Sequence, residues 1–198
     1  MKRLAALLAL LPLPALAHHA MGGETPSTLG QAFASGIGHP IIGLDHLAFL
    51  IAAGVLAAAL PVGGGVLAVV AFVFGGFAGS MLHVAGIGLG PVEALVALTV
   101  LVAGVALLWR RVPTAWLPIA FAMAGIFHGH AFAEAIIGAE QGPLVAYLAA
   151  LALTQAAIGL GAMILARRLG SRLPQLRPAT GVCAAVLGGL FLAMALVA

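Results

Sequence analysis

The stretch GHPIIGLDHLAFLIAAGVLAAAL, residues 38–60, combines membrane-spanning length with three ionisable side chains near its start. About 20 consecutive apolar residues form a helix long enough to cross the roughly 30 Å hydrocarbon core of a bilayer. His39, Asp45 and His46 interrupt this apolar run, and ionisable groups are costly inside a membrane. The stretch therefore predicts a transmembrane helix whose polar residues have a function.

The composition of the whole chain predicts an integral membrane protein that contacts the lipid bilayer. Of its 198 residues, 64% are hydrophobic and 7% are charged, whereas about 25% of the residues in a soluble domain are charged. A formal net charge of +3 implies no nucleic-acid partner. Cys183 is the one cysteine in the sequence, so we expect neither a disulfide framework nor a thiolate metal site.

Further apolar runs of similar length follow the first, with glycine and proline residues between them. Together the runs predict six transmembrane helices, near residues 38–60, 66–85, 91–109, 115–137, 143–166 and 178–198. We therefore expect an all-α integral membrane protein, built as a bundle of six transmembrane helices.

Residues 1–17 have the pattern of a cleaved secretory signal peptide. A basic start precedes an apolar stretch that is too short to span a bilayer, and Ala15 and Ala17 give the small-residue cleavage pattern. Cleavage after Ala17 would leave residues 18–198 as the six-helix domain. The new amino terminus would be the free amine of His18, next to the His18 and His19 side chains. These groups would either bind a divalent metal or be part of a polar segment without a function.

The arginine residues predict the orientation of the helices. With the mature amino terminus outside, the loops at 109–114 and 167–178 face the cytoplasm and hold every arginine beyond the leader. The outer loop at 138–143 carries Glu140 and no basic residue. This distribution follows the positive-inside rule. We expect a multi-pass protein of the inner (cytoplasmic) membrane with both mature termini in the periplasm.

Pairs of glycines on two predicted helices have the small-xxx-small spacing that allows close helix packing in membranes. Gly75 and Gly79 lie on the second helix, and Gly125 and Gly129 on the fourth. Close packing is the favoured interpretation, and room for a bound ion is the alternative.

The histidines and carboxylates of the predicted helices all fall in the outer half of the membrane. With Pro40 in the first turn of the first helix and a rise of about 1.5 Å per residue, His46 lies about 9 Å below the outer surface. His128, on the outward-running fourth helix, lies about 13 Å below it. These similar depths predict a vestibule that opens to the periplasm.

A shared metal site of His46, Asp45 and His128 is the preferred arrangement, with supporting groups nearby. His39 lies about 10 Å from His46 along a straight helix, so the two share an ion only if the helix distorts, as Gly43 would permit. His128 and His130 point almost oppositely. The candidate metal residues are His39, Asp45, His46, His128, His130 and Glu134. Imidazole with carboxylate suits nickel, cobalt, zinc, copper(II) or ferrous iron.

Two motifs, HPIIGLDH at 39–46 and FHGHA at 127–131, resemble the HupE/UreJ family of hydrogenase and urease accessory proteins. The resemblance implies a permease for nickel, or in some members cobalt, over residues 18–198. It also implies that His39, Asp45 and His46 are metal residues, and it carries over to His128 and His130. Cytoplasmic metallochaperones are the partners that would receive the ion.

The chain departs from the family pattern at two places. Phe132 stands where the second motif has a further histidine, and Glu134 comes one position early. Gln155 aligns with a position on the fifth helix that tends to be histidine in the family. These differences imply weaker metal binding or a different choice of metal.

Two other classes of protein are alternatives to a transporter. A membrane cytochrome would use His46 and His128 as axial haem ligands between facing helices. An intramembrane metalloprotease is disfavoured, because the sequence has no H-E-x-x-H motif. We therefore expect a transporter of Ni²⁺ or Co²⁺, with no permanently bound cofactor and no enzymatic activity.

Overall fold

A computed structural model describes residues 24–109 and 114–197 of the chain. This part is all-helical, with seven α-helices, two short 3-10 helices (Thr114–Trp116 and Ala133–Ile136) and no strand. The α-helices are α1 (Leu29–Ile42), α2 (Leu44–Ala57), α3 (Val62–Val84), α4 (Val92–Leu108), α5 (Leu117–Phe132), α6 (Gln141–Leu169) and α7 (Leu176–Ala195). The predicted signal peptide at 1–17, the two histidines after it and Arg110 lie outside the described residues.

Helix α1 begins earlier than the hydrophobic pattern predicts, at Leu29 and not near residue 38. Thr28 and Gln31 form a reciprocal capping box, in which each side chain accepts a hydrogen bond from the backbone N–H of the other. A capping box satisfies two of the N–H groups that a helix start leaves unpaired. It therefore allows a helix to begin in the polar sequence that precedes the apolar run.

The first predicted span is two helices, because the chain bends by 73° between α1 and α2. Gly43 lies between them with an extended backbone, closing α1 through its N–H to the His39 carbonyl and opening α2 through its own carbonyl. The prediction that Pro40 occupies a first turn is wrong, since Pro40 lies inside α1. Counting the depth of His46 from Pro40 therefore starts from the wrong residue, because His46 lies in the first turn of α2, and the depth itself stays a prediction.

The membrane-spanning character is clear for most of the helices. By length and composition α3, α5 with its flanking 3-10 turns, α6 and α7 are long and apolar enough to cross a membrane, and the bent pair α1–α2 counts as a fifth. Helix α4 is apolar but shorter, at 17 residues. The chain is therefore a helical membrane protein, and six spans remain a prediction.

Helices α3 and α5 form a close crossing at their glycines. A Cβ atom on Gly75 or Gly79 would overlap the carbonyl of Ala122 or Ile126, and one on Gly129 would overlap the carbonyl of Gly76. The Ser80 hydroxyl donates to the Gly129 carbonyl across the same crossing, at 2.8 Å. Close packing by the small-xxx-small glycines is confirmed.

The helix ends agree with the predicted grouping of the loops. Arg177 donates to the carbonyls of Leu107 and Trp109, at 3.1 and 2.8 Å, so the start of α7 lies beside the end of α4. The Thr25 hydroxyl donates to the Ile137 carbonyl at 3.3 Å, so the start of the described chain lies beside the loop before α6. Each contact joins two segments that the sequence assigns to the same side of the membrane.

Helix α2 lies at the centre of the bundle and contacts each of the other six α-helices, with its main contacts on α6, α4 and α7. Phe49 and Phe72 stack in the core at a centroid distance of 5.0 Å. Large apolar side chains such as Phe74, Leu153 and Val186 are exposed on the outside. An apolar exterior around an apolar core is the arrangement that a bilayer requires. The first turn of α2 thus holds Asp45 and His46 inside the bundle.

Candidate functional site

The bend at Gly43 brings His39 and His46 together. Seven residues of straight helix would separate them by about 10 Å along the axis. Across the bend their ring centroids are 5.8 Å apart in an edge-to-face arrangement. The helix is therefore distorted in the way that a shared ion would require. As a result, the imidazoles of His39 and His46 lie close together.

His46 also contacts His128 of α5. Their Nδ1 atoms are 2.8 Å apart, and the two side chains are 1% and 0% exposed. Asp45 is equally buried, and its carboxylate accepts a hydrogen bond from the His46 backbone N–H at 2.8 Å. The fold therefore brings the three residues of the preferred arrangement into one buried group.

A chain of hydrogen bonds fixes the proton positions on this histidine pair. The Thr99 hydroxyl donates its one proton to the Val96 carbonyl at 2.7 Å. Its oxygen therefore accepts from His128 Nε2–H, at 2.9 Å. A neutral His128 then has its lone pair on Nδ1 and accepts from His46 Nδ1–H. A neutral His46 would in turn have its lone pair on Nε2.

A second chain of the same kind fixes His39. The Tyr147 hydroxyl donates to the Phe132 carbonyl at 2.7 Å, and its oxygen lies 2.9 Å from His39 Nδ1. Because the tyrosine proton is already used, His39 Nδ1–H is the donor and Nε2 carries the lone pair. Histidines that bind metals usually donate their other ring N–H in this way. In their neutral forms, His39 and His46 would thus both have the lone pair on Nε2.

Aromatic rings surround the group. Phe132 is fully buried, with its centroid 4.1 Å from the His46 ring and 5.0 Å from the His39 ring. Phe49 lies against His128 at 4.6 Å. Apolar walls exclude water and strengthen the electrostatic interactions between the groups that they enclose.

His130 and Glu134 lie apart from this group. His130 contacts His83 of α3 and the Ile87 carbonyl, and Glu134 is exposed on the 3-10 helix Ala133–Ile136. Within the two described ranges, no group of three or more His, Cys, Asp or Glu side chains is arranged so that it could hold a metal ion. The six candidate residues therefore do not form one cluster, and their metal binding stays a prediction.

Thr99 and Tyr147 are the positioning residues that sequence reasoning did not place. Tyr147 is the one tyrosine of the sequence and is completely buried, and a buried hydroxyl normally has a hydrogen-bond partner. A single tyrosine inside an apolar run was a usable signal in the sequence. Thr99, within an apolar run, gave no such signal.

Gln155 is also buried and lies beside Gly76 and Ser80 at a cavity of about 10 Å³. Among the described residues, its Nε2 atom has no hydrogen-bond partner.

A family model and a curated relative both point to the same protein family. The family model described as HupE / UreJ protein matches residues 5–191. Protein HupE of Rhizobium leguminosarum bv. viciae is 36% identical over 126 residues, which cover 62% of this chain and 62% of that relative's length. No solved structure matches the chain.

Proposed function

The chain belongs to the HupE/UreJ family, and from that premise we propose that it transports a divalent transition-metal ion. Nickel is the first choice of cargo and cobalt the next, moved from the periplasm to the cytoplasm for the maturation of a metalloenzyme such as hydrogenase or urease. The observation that carries the proposal is the buried group of His39, Asp45 and His46 at the α1–α2 bend. Imidazole nitrogen with carboxylate oxygen is a donor set for these ions.

In this proposal His39 Nε2 and His46 Nε2 bind the ion, and Asp45 offsets its charge. Moving a bare cation into a low-dielectric interior is very costly unless an opposite charge accompanies it. His128 then acts as a positioning residue, because its Nδ1 accepts the proton of His46 and so directs the lone pair of His46 to Nε2. This assignment revises the expectation that His128 is itself a ligand.

An apolar cavity supports a direction for release. Its volume is about 220 Å³, and it runs from Phe49 and Thr99, which both contact His128, to Leu56 and Ala106 near the other ends of α2 and α4. Two helical turns separate these positions, or about 10 Å. An ion that leaves the histidines on this side moves toward the ends that the arginine pattern assigns to the cytoplasm.

The energy for transport comes from outside the chain, since the sequence contains no nucleotide-binding motif. A membrane potential supplies about 4.6 kcal/mol per 100 mV to a dication, twice the value for a single charge. Proton exchange, or capture of the ion by cytoplasmic metallochaperones, would add to this driving force.

Uptake into proteoliposomes tests the proposal, with Ni²⁺, Co²⁺ and Zn²⁺ compared at the same imposed potential. We expect the wild type to take up nickel, and His39→Ala and His46→Ala to lose at least 90% of the rate. Met123→Ala, which shortens a side chain that is 49% exposed on α5, is the control and should retain the wild-type rate. No uptake of any of the three ions by the wild type would refute transport, and a haem absorption band would support the cytochrome alternative.

A further inference from the structure

A second pair of histidines lies between α3 and α5. The ring centroids of His83 and His130 are 4.1 Å apart, and the ring planes are tilted by 34°. Residues two apart on a helix point about 200° apart, so His130 faces away from the side of α5 that carries His128. His130 contacts His83 and the Ile87 carbonyl, whereas His128 contacts His46, Thr99 and Phe49. The two histidine pairs are therefore separate.

Hydrogen bonds to carbonyl groups fix the proton on each ring of this pair. His83 Nδ1 lies 2.6 Å from the His130 carbonyl, so Nδ1–H donates and the lone pair is on Nε2. His130 Nε2 lies 3.0 Å from the Ile87 carbonyl, so Nε2–H donates and the lone pair is on Nδ1. Each ring thus has one nitrogen occupied by a backbone carbonyl and one with its lone pair available as an acceptor.

Among the residues that the structure describes, none forms a hydrogen bond with the acceptor nitrogen of His130. The side chain is 5% exposed, and its Nδ1 atom is buried. A buried polar atom without a partner costs about 1–3 kcal/mol, so its presence in a well-packed crossing needs a reason. An imidazole that donates one N–H to a carbonyl and keeps the other nitrogen unprotonated has the form of a metal ligand.

We propose that His83 and His130 form a second binding site for a divalent transition-metal ion, with His83 Nε2 and His130 Nδ1 as ligands. A metal–nitrogen bond is about 2.0–2.1 Å, so two imidazoles on one ion have ring centroids within about 6 Å of each other. The observed 4.1 Å satisfies that limit. His83 is half-buried beside the exposed residues 84–88, so an ion would enter from the His83 side, where water would complete its coordination. Nickel, cobalt, zinc and copper(II) are the ions that two imidazoles favour.

This site is independent of the proposed transport and is tested by binding alone. The full chain is purified in detergent with His18, His19 and His46 replaced by alanine, which removes the amino-terminal histidines and the α1–α2 site. Equilibrium dialysis against Ni²⁺ should then give one bound ion, and adding His83→Ala should weaken its binding at least 10-fold. Met81→Ala, on the same turn of α3, is the control and should leave binding unchanged.

A spectroscopic measurement covers the case in which a variant folds poorly. Cu²⁺ bound to the triple-alanine background should show electron paramagnetic resonance splitting from two imidazole nitrogens, and from one after His83→Ala. Thermal midpoints measured in parallel confirm that folded protein is compared. Unchanged nickel affinity in His83→Ala, or copper without nitrogen splitting in the background protein, would overturn the proposal. Neither result would bear on the proposal that the wild type transports metal ions, because that proposal is tested separately by uptake.

Discussion

Thr99→Val is the sharpest test of how the proton chain prepares the α1–α2 site. Valine has nearly the shape of threonine but accepts no hydrogen bond from His128 Nε2–H, which the Thr99 oxygen now accepts at 2.9 Å. The ion-free protein can relieve this loss by moving the proton of His128 from Nε2 to Nδ1. His128 would then donate to His46 Nδ1, and the proton of His46 would lie on Nε2. The nitrogen proposed to bind the ion would be blocked.

The size of the effect follows from the cost of restoring the original protonation. Metal binding must return the proton to His128 Nε2, which then lies buried without an acceptor at a cost of about 1–3 kcal/mol. Because about 1.4 kcal/mol corresponds to a factor of ten, nickel affinity should fall about 5- to 150-fold. The fall should occur without loss of any side chain that touches the ion.

The assay is calorimetric titration of nickel and cobalt into purified protein in detergent, with matched variants. Thr99→Ser keeps the hydroxyl and should bind within about 2-fold of the wild type. Thr154→Val makes the same substitution where the hydroxyl bonds only within its own helix, to the Ala150 carbonyl at 2.8 Å, and should also bind normally. Wild-type affinity in Thr99→Val would show that the proton chain does not set the lone pair of His46.

Three further predictions concern His39, the helix crossing and the orientation. Tyr147→Phe leaves His39 Nδ1–H without its acceptor and should lower nickel affinity by a similar factor in the same titration, and wild-type affinity would refute the role of this hydroxyl. Gly129→Ala should lower the thermal midpoint and the yield of folded protein, because its Cβ would overlap the Gly76 carbonyl, whereas Gly161→Ala has nothing within 4 Å and should be neutral. In a cysteine-free background, Glu140→Cys should react with a membrane-impermeant maleimide in intact cells and Arg172→Cys only after permeabilisation. The opposite labelling pattern would reverse the direction of transport.

The sequence predicts the helical class and the α3–α5 crossing because each depends on local or repeated patterns. Apolar runs mark helices wherever the solvent is lipid, and glycines four apart on two helices mark a close crossing. The apolar run alone predicts that the first helix starts too late, near residue 38. The capping box of Thr28 and Gln31 determines where α1 begins. The capping box was present in the sequence and was a usable sign.

The sequence predicted which residues lie in the candidate site better than it predicted how they are arranged. Depth counted along straight helices matched His46 with His128, and the two are in contact. The same counting misplaced Pro40 and could not use the bend at Gly43, because a straight-helix calculation has no information about tertiary packing. Thr99 gives no signal within its apolar run, yet its oxygen accepts from His128. Hydrogen bonds between distant helices are set by the fold, and no spacing rule encodes them.

Phe132 shows how a departure from the motif can leave the positioning of the site intact. The resemblance implies a histidine at this position, and its absence implied weaker binding. In the structure the Phe132 carbonyl accepts from Tyr147, which in turn accepts from His39, and a backbone carbonyl is present whatever the side chain is. The phenyl ring also packs on both His39 and His46. The substitution therefore replaces a candidate ligand with an apolar wall and retains the hydrogen bonds that fix His39. If binding is weaker than in relatives with histidine here, the cause is a missing donor atom, and Phe132→His should then increase nickel affinity.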